Sequence, residues 1–239
     1  MNKFKKMFTS AMSIALLFSL MGTASASAAE TPSETMYGLE VLNTIEETTV
    51  KEDGVVVTVT TTELNGTKED LERIVSELKN EGRQIYSQAE LATPEISPLA
   101  IGDGRYKGQR CDSSTYPDMQ ICAYADFDAR MRAQGLGGAV FKGTITAIAA
   151  IQKQGVFTDV QAIPRLKVKG YGLTAKDSVF VAEWNFTSPR RTAIDTWPLD
   201  ETCGGFLAYM EFWAGADFSW KYYGQGGGPS GFWMDLVKQ

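Results

Sequence analysis

Short runs in which β-branched or aromatic side chains alternate one-for-one with polar ones recur through this chain. A two-residue period leaves few folds open. Val55, Val57 and Val59 fall on one side of an extended segment, with Thr58, Thr60 and Thr62 on the other. Arg165, Lys167 and Lys169 alternate with Leu166, Val168 and Gly170, and Phe180, Ala182, Trp184 and Phe186 with Val179, Val181, Glu183 and Asn185. Successive side chains of a strand point to opposite faces, so such runs build sheets with one face in a core and the other wet.

Further strands are expected over 120–127, 139–151, 206–213, 216–223 and 232–237. Residues 128–134 read as one helical turn or a loop. The 139–151 run becomes apolar on both sides near Ile148, so a central strand or a buried helix both fit it. Ala214-Gly215 reads as a hairpin bend, and the glycine-rich stretch Gly224–Gly231 as a flexible connection that lacks the lysine and following helix of a phosphate cradle. About seven short strands with Gly/Pro-marked connections and no crossover helix predict a mostly β, antiparallel fold over 105–239, a sandwich ahead of a barrel.

The front of the chain differs in composition. Residues 30–100 hold 15 acidic and 5 basic side chains, and no Trp or Cys; residues 101–239 hold 14 acidic and 15 basic, all five Trp and all three Cys. Here Asp53-Gly54 marks a hairpin turn. Thr67 with Asp70 resembles a capping box, and Leu71, Ile74, Val75 and Leu78 recur at helical spacing. Gly82 is a natural C-cap, so a helix is expected over 68–81. The organisation read from these features is a leader at 1–28, an acidic hairpin-helix segment at 29–92, a Pro/Gly linker at 93–104 and an aromatic-rich domain at 105–239. The acidic segment is expected to be either a removable propeptide or a stable small domain.

Lys3, Lys5 and Lys6, an apolar stretch over 12–21 and the small-residue run Ala24–Ala28 form the three parts of a secretory signal. Cleavage near Ala26 or Ala28 would place the mature chain outside the cell, and the short Lys-rich leader has a bacterial look. Cysteines there can be oxidised, and Cys111 and Cys122 flank a turn-like DSSTYPDMQI segment that a disulfide would close. Cys203 reads as a small buried hydrophobe. With the leader's three lysines removed, 20 basic face 29 acidic residues, and no basic stripe suits a nucleic acid.

The chain contains no histidine, which excludes His-based triads and His metal sites. No complete catalytic constellation is visible and no cofactor is implied. Glu183 and Glu211 are the candidate catalytic pair, since two glutamates in an aromatic cleft suit glycoside hydrolysis. Asp126 and Asp128 are the candidate calcium ligands, though they lack the spacing of a calcium loop. For binding, Trp197 between Thr196 and Pro198 reads as a loop residue beside Arg190 and Arg191, with Tyr223 and Trp233 bounding the glycine-rich stretch. The expected function is an extracellular binding protein whose aromatic surface meets a glycan, a cell-envelope component or a protein. The alternatives are a membrane-active, bacteriocin-like toxin carrying an acidic propeptide, and a carboxylate-based glycoside hydrolase.

Overall fold

The computed structural model describes residues 34–87, 104–113, 118–131, 138–153, 155–205 and 207–239. The leader, and the linker apart from Gly104, lie outside them.

Two tight hairpins begin the described chain. β1 (Thr35–Met36) turns at Tyr37-Gly38 into β2 (Leu39–Val50), and Lys51–Gly54 turns β2 into β3 (Val56–Leu64). Gly54 has φ +86, a left-handed conformation that glycine adopts without strain, and Asp53 accepts from the Val55 N–H at 3.1 Å. The hairpin does not stand apart. Every residue of β3 is in register with β9 (Val179–Thr187), from Val56 opposite Thr187 to Leu64 opposite Val179. Described strands on either side of the composition break near residue 100 therefore belong to one sheet, and that break is not a break in the sheet. Charge content reports what a segment shows to water; the valine face of β3 decides what it joins.

Helix α1 (Lys68–Asn80) starts at the predicted box, with Thr67 accepting from the Asp70 N–H and the Asp70 carboxylate accepting from the Thr67 N–H. Gly82, at φ +85, ends it. Its four apolar residues Leu71, Ile74, Val75 and Leu78 are buried together with Leu64, Tyr171, Val179 and Val181. Burying each such side chain contributes about 1.5–3 kcal/mol. The neighbouring residues of β9, Phe180, Ala182, Trp184 and Phe186, belong to the other core cluster. Alternation along one strand thus feeds two apolar layers, which explains why β9 is apolar on both faces at this end.

The larger sheet runs β1-β2-β3-β9-β8-β11-β12, where β8 is Phe157–Leu173, β11 Leu207–Tyr222 and β12 Gln225–Trp233; the short β4 (Tyr86–Ser87) also pairs with β11. The smaller sheet runs β10-β7-β6-β5-β13, where β5 is Arg105–Ser113, β6 Met119–Met131, β7 Ala139–Ile151, β10 Ile194–Cys203 and β13 Leu236–Lys238. All the pairings are antiparallel, and the two sheets pack as a sandwich around a core rich in aromatic rings. Phe212 of the large sheet meets Tyr106, Phe127 and Phe141 of the small one at ring distances of 4.8–5.9 Å.

Three local expectations change, and a fourth, open between strand and helix, resolves to strand. Residues 128–131 continue β6, because Ala129 and Met131 carry its buried face past Phe127. Segment 139–151 is the central strand β7, not a helix. Gly215 is no bend: β11 runs straight through it, and a Cβ there would come within 2.4 Å of the Phe232 carbonyl, so glycine serves close strand approach. The glycine-rich stretch is strand β12, joined to β11 by a two-residue turn at Tyr223-Gly224. Its Gly227 leaves room for the Trp220 indole, which a Cβ would meet at 2.4 Å.

The Cys111–Cys122 disulfide is present, but as a cross-strand rung rather than a loop clasp, since the two residues are register partners of β5 and β6 with Cα atoms 4.1 Å apart. Cys203 is fully buried and unpaired, and burial, with the Glu201 charge beside it, pushes its thiol far from the reactive range.

Candidate functional site

Strand parity places three cross-strand rows on the face of the large sheet that points away from the sandwich core. Glu183, Lys169 and Glu211 form the first row, Asn185, Lys167 and Trp213 the second, and Thr187, Arg165, Gly215 and Trp233 the third. The neighbouring row of Val181, Tyr171 and Tyr209 belongs to the cluster that includes α1. Where that cluster ends, the chain leaving the helix brings Arg83 back over the sheet. Arg83, Lys167, Lys169, Glu183, Trp213 and Trp233 then line an open pocket of about 230 Å³. A second cleft, beside the C-terminal segment, shares Arg83 and Trp213 with it.

Two tryptophans flank this pocket, both half-buried. The Trp233 ring lies across Gly215, where a Cβ would approach its Cε3 to 2.8 Å, and the Arg165 guanidinium sits 4.1 Å from the same ring. Lys167 Nζ is 5.8 Å from the Trp213 ring. Such cation–ring contacts hold the indoles in place while leaving part of each face to solvent.

The charges are ordered by pairing. Glu211 is 1% exposed; Arg83 Nε donates to it at 3.0 Å, Arg83 Nη2 donates to its other oxygen, and the Tyr171 hydroxyl donates at 2.5 Å. Burial first, and then that bond to Glu211, raises the Tyr171 hydroxyl well above the ordinary tyrosine range. Glu183 accepts from Lys167 at 2.9 Å and from Asn185 at 3.1 Å. Burial alone would raise its carboxyl, but those two bonds and the Lys167 and Lys169 charges outweigh it and hold the group below its usual range. Arg165 pairs with Asp217 at 2.8 Å. Lys169 instead donates to the Tyr37 hydroxyl at 2.7 Å. Four cations thus face three carboxylates, and among the described residues Lys169 makes no direct ion pair, its ammonium being bonded to Tyr37.

Glu183 and Glu211 do share a face, two strand spacings apart across Lys169, about 9–10 Å between backbones. Their chemistry does not suit hydrolysis. A glycosidase needs one carboxyl held protonated, whereas Glu183 is held ionised and both oxygens of Glu211 are taken by Arg83 and Tyr171.

The other expected site residues are dispersed. Trp197 is not a loop residue; it lies on β10, 3% exposed, in the core between the sheets. Pro198 is tolerated because β10 is an edge strand. The inward face of β10 carries Asp195 and Glu201 among Trp197, Leu199 and Cys203, which hides the alternation from a sequence reading. Arg190 and Arg191 are exposed in the β9–β10 connection, and Arg191 lines a shallow depression with Asp159, Gln161 and Lys221 rather than the tryptophan pocket. Tyr223 projects from the β11–β12 turn, 64% exposed. Of the five residues expected to bind, Trp233 alone lines the pocket.

Asp126 is committed to Arg105, accepting two bonds at 2.6 and 2.8 Å, and Asp128 is the register partner of Arg105. Among the described residues no group of three or more acidic or cysteine side chains is placed to hold a metal ion. No helix among them is long and apolar enough to cross a membrane, and the inward side chains of β7 (Ala139, Phe141, Ile145, Ala147 and Ala149) lie in the sandwich core.

Sequence reasoning missed Arg83, Lys167, Lys169 and Trp213 as a group. Strand parity alone puts the two lysines on a wet face and Trp213 on the face of Glu211, two residues along, but only the pairing of β8 with β11 brings these together. Compared with known proteins, the chain matches no family model, no curated protein and no solved structure.

Proposed function

We propose that this is a secreted binding protein whose outer sheet face, centred on Trp213 and Trp233, takes an acidic glycan of the cell envelope. The single observation that carries the reading is the pocket in which two half-buried indoles share walls with Arg83, Lys167 and Lys169. A pyranose ring stacks on a flat indole, and aromatic side chains anchor such ligands with little entropy loss. A uronate or phosphate group on the same chain would meet Lys169, whose ammonium is bonded to a phenol rather than a carboxylate. Asn185 and Thr58, register partners on adjoining strands, extend the face with polar groups suited to sugar hydroxyls.

The β-sandwich fold is compatible with a binding protein, and most of its aromatic rings are core, so the proposal is confined to these two indoles. We read residues 34–87 as a working part of the protein. Their removal would strip β3 from β9 and Arg83 from Glu211.

The test is affinity electrophoresis through gels containing polygalacturonate, with dextran as the neutral control. Retardation in polygalacturonate that Trp213→Ala and Lys169→Met each reduce, with the melting temperature preserved, supports the reading. Equal mobility in both gels, or retardation that both variants leave unchanged, sinks it.

A further inference from the structure

A second surface lies at the opposite side of the large sheet. β1 pairs with β2 only at Leu39 and Glu40, and the Val41 N–H is taken by the Glu34 carbonyl at 2.8 Å. From Leu42 to Val50, β2 has β3 on one side and no strand on the other among the described residues. Every residue from Leu42 to Val50 is exposed, with Leu42 at 52%, Ile45 at 51% and Val50 at 67%. β2 overhangs the sandwich, since its partner β3 is the last strand of this sheet to reach the core.

The hydrogen bonds fix which way its backbone points. The Lys51 N–H donates to the Val55 carbonyl, so residue 51 faces β3, as do residues 49, 47 and 45 by alternation. Thr44, Glu46, Thr48 and Val50 therefore present their N–H and C=O groups outward. A row of free backbone groups on a β-branched, unshielded edge is a template for one more strand.

The charges on this edge choose the occupant. Glu46 and Glu47 sit at the centre of the open stretch, Glu52 and Asp53 at its end, and none of the four is in an ion pair among the described residues. A second copy pairing antiparallel through this stretch would crowd the Glu46 and Glu47 carboxylates of both copies into facing or adjoining positions, and like charges set against each other across a ladder destabilise it. A strand with lysine or arginine opposite them gains what the second copy loses. We infer that the Leu42–Val50 edge is a docking site for a basic, extended segment of a partner protein, bound by strand addition.

The test uses the full chain and a synthetic peptide of alternating lysine and valine, matched in length to the open edge, with a glutamate-valine peptide as control. Amide hydrogen exchange read by NMR should show new protection at Thr44, Glu46, Thr48 and Val50 with the lysine peptide only. Thr48→Pro removes an outward N–H and the exposed Thr48–Thr58 hydroxyl bond but no backbone bond of the β2–β3 ladder, so the fold should persist while affinity falls about tenfold or more. The Glu46→Lys, Glu47→Lys double variant should reverse the preference between the two peptides. Absence of protection at those four amides, equal binding of both peptides, or the same protection arising with protein concentration alone would overturn the inference, the last by naming a second copy as the occupant.

Discussion

Replacing Arg83 by alanine should be one of the most damaging single changes outside the sandwich core. Its partner Glu211 is 1% exposed and is satisfied by three donors, two of them from Arg83. Without the guanidinium the carboxylate keeps only Tyr171. Breaking a buried ion pair from one side costs about 3–5 kcal/mol because an uncompensated charge is left behind. The Arg83 side chain is 29% exposed, so water can reach the vacated position and the lower part of that range, about 3 kcal/mol, applies. For a domain of this size that is a fall in melting temperature of about 6–12 °C. Urea unfolding followed by tryptophan fluorescence reads the cost, and the cycle is completed by Glu211→Gln and the Arg83→Ala, Glu211→Gln double variant. With both charges gone the double variant should be more stable than either single one, giving a coupling energy of about 2 kcal/mol. A single-variant cost below about 1 kcal/mol, or a double variant as unstable as the sum of its parts, would refute the claim that this pair locks the post-helix segment to the sheet.

Other consequences follow from the packing. Gly215→Ala forces a Cβ to within 2.4 Å of the Phe232 carbonyl and 2.8 Å of the Trp233 ring. It should therefore cost about 1–3 kcal/mol, together with a change in Trp233 fluorescence, whereas the same change at the open Gly204 should cost little. Glu201 is buried against Lys51; burial, outweighing that bond, raises its carboxyl above the ordinary value of 4.5. The folded state then holds this proton more tightly than the unfolded one, so the group's contribution is present at low pH and lost as pH rises through its folded value. Glu201→Gln should remove that loss, so its melting temperature relative to the parent should rise between about pH 4 and pH 7, and a constant difference would contradict this. Changing Cys111 and Cys122 together to serine should cost about 2–3 kcal/mol in chemical denaturation, with the strand pairing retained in amide exchange.

The local grammar of the fold is legible in the chain. The Thr67–Asp70 box, the Leu71/Ile74/Val75/Leu78 stripe and the Asp53-Gly54 turn are short-range signals whose physics is complete within a few residues. Several of the misreadings come from treating glycine and proline as punctuation. Gly215, Gly227 and Gly231 sit inside strands because a carbonyl, the Trp220 indole and the Asp217 carboxylate lie where a Cβ would be. Pro198 is inside β10 because only one side of that strand needs donors. Those neighbours are contributed by other strands and leave no trace in the local pattern. The site was half-visible for the same reason. Face parity groups Glu211 with Trp213, and Lys167 with Lys169, but it carries no information that β11 lies beside β8 or that Arg83 returns from the helix to cover Glu211.

The central claim, that the Trp213–Trp233 face is the recognition surface, is tested most directly by the indole N–H signals of the five tryptophans in a ¹⁵N-labelled sample. Trp184, Trp197 and Trp220 are buried and act as internal references, while Trp213 and Trp233 are half-exposed on the proposed face. Titration with an acidic oligosaccharide should move the Trp213 and Trp233 signals together, along one saturation curve, and leave the other three in place. Movement of none of the five, or of the three buried indoles without the outer pair, would contradict the account.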